Sequence, residues 1–479
     1  MLAAFDEVLG VRGLARPDAD EISITGNDPV LATRYRIGET CAAVLGGVGT
    51  AVSDIWELKT GRRQQAAIDA RRAAATLKSS YLMQRPDGQG QWQDVINPNH
   101  EHMIRCTQPW PTRDGRWFLP HFGLPNLKER VLKVLDCAFE PAAIAAAVAK
   151  WDALDLEAGI DEARACGGVV RSNAEWLETD HGKVLAAKPI VEIIKIADSD
   201  PEPFPEGPRP LSGIRALDLT RILAGPIAAR TLAEHGADVL MIAAEGVPQI
   251  MEHVMDTSHG KRSTFLDLKT ADGADTLRRL VRDADVFSQG YRPGIMAKHG
   301  FAPENLAEMR PGIVCLSISC FGADGPFSHR AGWEQIAQTV TGICHGNGVD
   351  AGDNRPRLLP AAACDYTTGY LGAYGVLLAL AHRAREGGSY HVRVSLCQSG
   401  MFIQRQGRTE AVPAPDAFFS DDELAEWRTT TETSYGPLRH LAPVLRFSET
   451  EPYWARPTPE FGGDKPEWLV PVPAAEAAK

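Results

Sequence analysis

The sequence predicts an α/β protein built on a parallel sheet with flanking helices, accompanied by a smaller α+β domain. Three observations lead there. Short apolar runs alternate with helical segments across residues 211–320. A connector rich in proline and acids divides the chain near residue 200. A chain of 479 residues is also too long for one simple core, so two to four domains are expected.

Taken in order, residues 1–200 form a first unit, with a compact segment at about 110–195 and a loose Gly/Gln stretch at 84–92 separating its parts. The connector at 197–210 carries five prolines and four acids, which suit an extended linker. Beyond it, residues 214–219 read as a strand, 224–226 as a turn, 227–235 as a helix ending at Gly236, and 239–242 as the next strand. That βαβ unit implies parallel pairing. The alternation continues with a helix at 273–283, a strand at 284–287, a helix at 303–309 and an apolar strand at 313–318. Residues 211–400 are therefore a Rossmann-like unit. Residues 401–479 form a tail, rich in Pro, Gly and Trp from Tyr453 onward, that is expected to wrap the large domain.

No G-x-G-x-x-G follows the first strand of this unit, which disfavours a dinucleotide role. The turn after that strand still lies where open α/β sheets bind ligands, outside the carboxyl ends of the strands. A net charge of −12 argues against a general nucleic-acid binder. The nine cysteines are scattered without metal-ligand spacing, so neither a disulfide framework nor a metal site is expected. No apolar stretch reads as a membrane span, and the N-terminus lacks the pattern of a secretory signal, which makes the cytoplasm the expected compartment.

The two halves share a weak repeat. At a shift of 326 residues (365 minus 39), Glu39 falls on Asp365, and Gly46, Gly49 and Gly61 fall on Gly372, Gly375 and Gly387. In each copy an Ala/Gly/Val helix, a charged turn and a candidate strand follow, the strands being 65–69 and 391–395. The shared order favours duplication. Locally, Asp365 reads as a helix N-cap ahead of a glycine-spaced helix.

Four stretches carry a more specific likeness: Leu217-Asp-Leu-Thr-Arg-Ile-Leu-Ala-Gly-Pro226, Gly236-Ala-Asp-Val239, Leu266-Asp-Leu-Lys-Thr-Ala-Asp-Gly273, and Asp365-Tyr-Thr-Thr-Gly369 running on to Val392-Arg-Val-Ser-Leu396. In this order and spacing they resemble the family III CoA-transferases, the group that includes formyl-CoA transferase and carnitine CoA-transferase. The resemblance implies a nucleophile at Asp365 and CoA contacts from Ile222, Leu223, Leu266, Leu268, Lys269, Gly290, Tyr291 and Lys298. It also implies an acyl-CoA thioester and a carboxylic acid as substrates, no permanently bound cofactor, and a homodimer. The chain departs from the family pattern where the second strand ends in Met241-Ile-Ala243 instead of Lys-Val-Glu and Ala244 replaces a frequent Arg, leaving Lys261 and Arg262 as candidate substitutes for the missing charge.

The first half resembles later parts of the same family at residues 39–69, 112–117 and 151–176. The resemblance therefore implies a fused, rearranged pair of units, with Glu39 in a degenerate copy of the nucleophile position. His121 and Cys166 lack a partner constellation and read as structural. Two rival readings stand beside CoA transfer. A 2-methylacyl-CoA racemase would need a His where Trp333 stands, with Glu334 one residue away as a possible substitute. A CoA-binding paralogue without activity would fit the missing strand-end charges.

Overall fold

A computed structural model of the chain describes residues 2–352, 355–411 and 419–469. Residues 412–418 and 470–479 of the expected tail lie outside that description.

The largest sheet has seven strands, in the spatial order Lys261–Phe265, Asp238–Ala243, Arg215–Leu219, Val286–Gln289, Val314–Ser319, Ser389–Ser395 and Glu192–Ala197. The first six run parallel, and Glu192–Ala197 closes one edge antiparallel to Ser389–Ser395. From Arg215–Leu219 the chain builds outward to one side and then, through Val286–Gln289, to the other. Its switch point therefore lies between these two neighbours, which pair from Ala216 with Val286 to Leu219 with Gln289.

Two helices cover the sheet beside that point. The helix Ala224–Glu234 leaves the strand Arg215–Leu219 almost at once, and the helix Ala363–Glu386 packs across both. Gly369 sets their separation: a Cβ there would sit 2.6 Å from the carbonyl oxygen of Ala224 and 2.8 Å from Ile227 Cβ. Gly375, two turns on, is pressed as closely against Val392 and Val191. The glycine spacing thus buries one face of the helix against the sheet at near-backbone distance.

The first half is built into the same body. Its helix Ile37–Thr60 packs beside Ala363–Glu386, with Tyr374 donating from its hydroxyl to the Val8 carbonyl at 3.1 Å. The shift of 326 residues maps the bounds of one helix onto the other. The residues preceding them, Arg36 and Ala362, share nearly the same backbone angles (φ −79°, ψ 56° and φ −83°, ψ 57°). Residues 110–170 form a small three-stranded antiparallel sheet with the helices Pro125–Leu135, Pro141–Val148 and Ala153–Glu162, around a core that includes Phe118, Val131, Leu156 and Val169.

Several expectations are corrected. Residues 224–226 are the first turn of a helix, because Pro226 falls where a helix does not need its N–H. The stretch 84–92 is a hairpin of Gln84–Pro86 with Trp92–Asp94, which joins Gly436–Leu441 and Arg428–Thr433 in a four-stranded sheet. Lys261–Phe265 is a strand that the polar sequence conceals. The connector joins no separate bodies, since the strand just before it belongs to the large sheet. The helix Ile37–Thr60 is long and apolar enough by length and composition to cross a membrane, contrary to the reading that no such stretch exists, and 89% of its most apolar window is buried inside the protein.

The tail from Tyr453 lies along the helical and strand edge of the large unit. Thr458 donates to the Met255 carbonyl, Gly462 N–H to Ser263 Oγ, and Trp468 Nε1 to the Leu280 carbonyl.

Filling the closest helix contact should be costly. Gly369→Ala is expected to destabilise the protein by about 1–3 kcal/mol through overpacking, read as a lower denaturant midpoint with an unchanged slope.

Candidate active site

At the switch point, the strand Arg215–Leu219 gives way to Thr220, Arg221, Ile222 and Leu223 before the helix starts at Ala224. Ile222 holds φ at +76°, a left-handed conformation that a β-branched residue adopts only where its surroundings enforce it. The enforcing contacts are buried and polar. Asp218 accepts from the N–H of Thr220 at 3.0 Å, and from Lys261 Nζ at 2.8 Å. The same ammonium donates to the Pro226 carbonyl at 2.9 Å, so one buried charge pair ties strand, turn and helix together.

Lys261 is therefore fully committed, and Arg262 is held by Asp238 and the Glu467 carbonyl. Neither stands in for the missing strand-end charge, which corrects that expectation.

Asp365 is the third residue of the helix Ala363–Glu386, three positions past the N-cap Ala362. The capping is done by Glu334, the first residue of the helix Glu334–Val340. Its two carboxylate oxygens accept from the N–H groups of Cys364 at 3.1 Å and Asp365 at 2.5 Å, and Gln338 Nε2 donates to it at 2.5 Å. Two acids thus meet at one helix N-terminus. Asp365 is 8% exposed.

Burial pushes the Asp365 carboxyl well above the usual carboxylate range, the Glu334 charge pushes it further, and the Ala224 amide pulls the other way. Burial likewise raises Glu334 to about 7, against the pull of Gln338 and the two helix amides. The site therefore resists holding two negative charges, and the acids titrate as a pair.

Asp365 opens into a cleft between the large sheet and the small domain. Ile222, Leu223, Gly290 and Tyr291 line it, so four of the eight residues expected to contact CoA share it with Asp365. Leu266 and Leu268 follow a strand two places away on the same carboxyl edge, where they join the apolar cluster that includes Tyr291. Lys269 and Lys298 are exposed along that edge. None of these last four lines the cleft around Asp365.

Sequence reasoning left out four contributors. Leu124 and Leu127 reach the cleft from the small domain, and the short Pro-initiated helix that carries Leu127 was the available signal. Arg221 and Arg292 add the cleft's cationic groups; both flank residues that were singled out. Glu334 was considered as a proton-exchanging substitute, whereas its structural place is beneath the Asp365 turn.

Trp333 lines the cleft and stacks on His121 with ring centroids 4.7 Å apart. His121 accepts from Gly123 N–H at Nδ1, which leaves Nε2 to donate to Gln335 at 3.0 Å. Burial lowers its pKa to about 4. It is a neutral, fully buried residue behind the tryptophan. Cys166 is buried and donates weakly to the Ala331 carbonyl. Glu39, also third in its helix, donates its N–H to Asp28 at 2.8 Å, and Arg36 pairs with its carboxylate at 2.9 Å.

The signature of CoA-transferase family III matches residues 211–417, the segment that carries this cleft. Acetyl-coenzyme A transferase nodX of Hypoxylon pulicicidum is 31% identical over 425 residues, covering 80% of this chain and 72% of that protein. The chain belongs to CoA-transferase family III. The expectation drawn from the four sequence stretches thus holds for this family III enzyme. The succinate–glutarate CoA-transferase of Agrobacterium fabrum is 34% identical over 40% of this chain and 52% of its own length. Of that relative, and of the succinyl-CoA:glutarate CoA-transferase of Mus musculus, the chain spans about half the length. The crystal structure of Rv3272 from M. tuberculosis is 29% identical over 41% of this chain and 58% of that one, with a TM-score of 0.39.

Because folding buries a carboxyl whose charged form is disfavoured, Asp365 makes the protein most stable below the ordinary carboxylate pKa. That contribution is lost as pH rises towards its elevated folded-state value. Asp365→Asn should therefore raise the melting temperature at pH 8 by several degrees, and the gain should shrink towards pH 4. Melting curves of both proteins across pH check this.

Proposed function

We propose that this family III enzyme is an acyl-CoA:carboxylate CoA-transferase that works through a covalent aspartyl-CoA thioester on Asp365. The observation carrying this reading is a buried carboxyl set at a helix N-terminus, facing a cleft at the switch point of a parallel sheet.

In the proposed cycle an Asp365 oxygen attacks the thioester carbonyl carbon, the C–S bond breaks, and CoA thiolate leaves an aspartyl-acyl anhydride. The thiolate attacks the aspartyl carbonyl and expels the donor acid as its carboxylate, which leaves the aspartyl-CoA thioester. The acceptor carboxylate repeats the sequence: its attack on the thioester releases thiolate and forms a second anhydride. The thiolate then takes the acceptor acyl group and restores Asp365. No proton is consumed, and two carboxylic acids exchange one CoA.

The residues around Asp365 suit these steps. Asp365 must be ionised to attack, so the proton that the acid pair retains belongs on Glu334 at that moment. The Ala224 amide, at the start of its own helix, is placed to donate to the carboxylate and to oxyanions formed on it. Ile222, Leu223 and Tyr291 provide walls that keep water from the anhydrides, which water would otherwise hydrolyse. Lys269 and Lys298, exposed on the same sheet edge, offer charge for the nucleotide phosphates.

Racemisation needs a second base facing the substrate α-carbon, and Trp333 stands where that base would be, with the neutral His121 behind it. Nothing in the cleft favours that reading over transfer.

Incubation with a panel of acyl-CoAs followed by borohydride or hydroxylamine trapping should modify the Asp365 peptide. Asp365→Ala should lower transfer at least 1,000-fold, about the loss expected for a covalent nucleophile, while CoA affinity changes little. Transfer that survives this substitution, with no trapped adduct, would sink the proposal.

Removing the neighbouring charge should ease ionisation of Asp365. Glu334→Gln is expected to move the acid limb of the kcat/KM profile to lower pH by about one unit or more. An unmoved limb would show that the pair does not set the nucleophile's charge.

A further inference from the structure

The face of the large sheet opposite the helix Ala363–Glu386 has a cavity of its own. Side chains alternate along the strand Val314–Ser319. Leu316 and Ile318 meet Gly372 of that helix, which leaves Cys315, Ser317 and Ser319 facing the other way. Over that second face, between residues 185–192 and the turns around the helix Pro303–Met309, lies a cavity.

Its walls are mostly apolar, with Ile190, Phe287, Met296, Phe301 and Leu306 prominent among them. Several of its polar groups are engaged within the protein. Ser317 bonds to Gln289 and to His391, each at 2.8 Å, and His391 is held neutral by burial, its pKa near 4. Arg393 is paired with Glu192 at 2.6 Å, and Lys188 with Glu192 and Asp324. Lys188 and Arg393 are thus neutralised by acids, and Arg292, at the exposed rim, reaches the His329 carbonyl at 3.5 Å.

The cavity also borders the cleft of Asp365. Tyr291, Arg292, Ile318 and Ser319 line both spaces, at the carboxyl ends of two adjacent strands. A group bonded to the reacting carbonyl can therefore pass over this edge from one space to the other.

We infer that the cavity receives the apolar tail of the acyl group, so that the enzyme prefers acyl chains of medium length over short ones. The inference rests on the transfer reading for its biological use, although the binding preference it implies can be measured apart from turnover. An apolar tail gains by leaving water for these walls.

The test is calorimetric titration of the full chain with acetyl- and decanoyl-CoA. Decanoyl-CoA should bind at least tenfold more tightly than acetyl-CoA. Ala302→Phe and Ala323→Phe fill the cavity from two half-buried wall positions outside the Asp365 cleft. Each should erase the decanoyl advantage and leave acetyl-CoA affinity within twofold. Circular dichroism identifies a variant that misfolds, in which case the other decides. Equal affinities in the unsubstituted protein, or variants that keep the preference, overturn the inference. A parallel transfer assay separates the two claims: preference without transfer overturns the catalytic reading alone, and transfer without preference overturns the pocket alone.

Discussion

The site depends on a contact between two backbones. At Gly369 the helix Ala363–Glu386 comes so near the first turn of the helix Ala224–Glu234 that even a methyl group would collide with a carbonyl oxygen. Asp365 lies four residues earlier, one helical turn, so the same approach brings its carboxyl to the Ala224 amide. A wider separation, such as ordinary side chains impose at a helix crossing, would leave the acid facing apolar surface with no donor to meet its charge. The strained Ile222 turn and the Asp218–Lys261 pair serve the same end. They start the Ala224 helix immediately after its strand, where its amides point into the cleft.

Against this background the two acids make physical sense. Burying a carboxylate costs several kcal/mol unless hydrogen bonds or opposite charge compensate. Glu334 is compensated by two helix N–H groups and an amide side chain, while among the described residues no cation pairs with Asp365. The repeat in the first half settles the same problem differently. Glu39 sits at the matching helix position above Asp28, and Arg36 neutralises it. Asp28 is also raised, to about 6, mainly by burial. The two turns share their geometry and differ in charge balance: one acid is held in an ion pair, while the other, among the described residues, has no cation beside it and faces open space. A carboxyl facing a cleft without a cation suits the role proposed for Asp365, and the ion-paired Glu39 suits a stabilising one.

The legible parts of the sequence were those in which local pattern and tertiary environment agree. Residues 313–318 are apolar because their strand is covered on both faces, and 303–309 begin with a proline at a position a helix tolerates. Asp365 was singled out through the order of four stretches rather than through its own neighbourhood, where a capping role looked simpler. What was missed depended on distant partners. Lys-Arg-Ser-Thr-Phe carries no hydrophobic alternation, yet it forms an edge strand of the large sheet because Asp218 neutralises its lysine and the tail satisfies Ser263. The hairpin at Gln84 acquires its sheet from residues 436–441, and Glu192–Ala197 from a strand almost 200 residues later. Periodicity within a short window does not encode a pairing of that span.

The same long-range construction explains why the cleft is closed at all. An open parallel sheet leaves the carboxyl ends of its strands bare, and a mixed anhydride formed there would meet water. Leu124 and Leu127 come from the small domain, which precedes the sheet in the chain, and they lie across the cleft from Asp365 and Trp333. The small domain is held in place by the helix that also caps the Asp365 turn. Arg171 N–H donates to the Thr339 carbonyl, His121 bonds Gln335, and Gly168 leaves room for Val340. Glu334–Val340 therefore has two tasks in seven residues: its first residue sets the charge state beside Asp365, and the remainder fixes the wall opposite. Displacing that wall would alter the proton balance of the acid pair, and changing the pair would shift the wall, so shelter from water and ionisation of the carboxyl are coupled through one short helix.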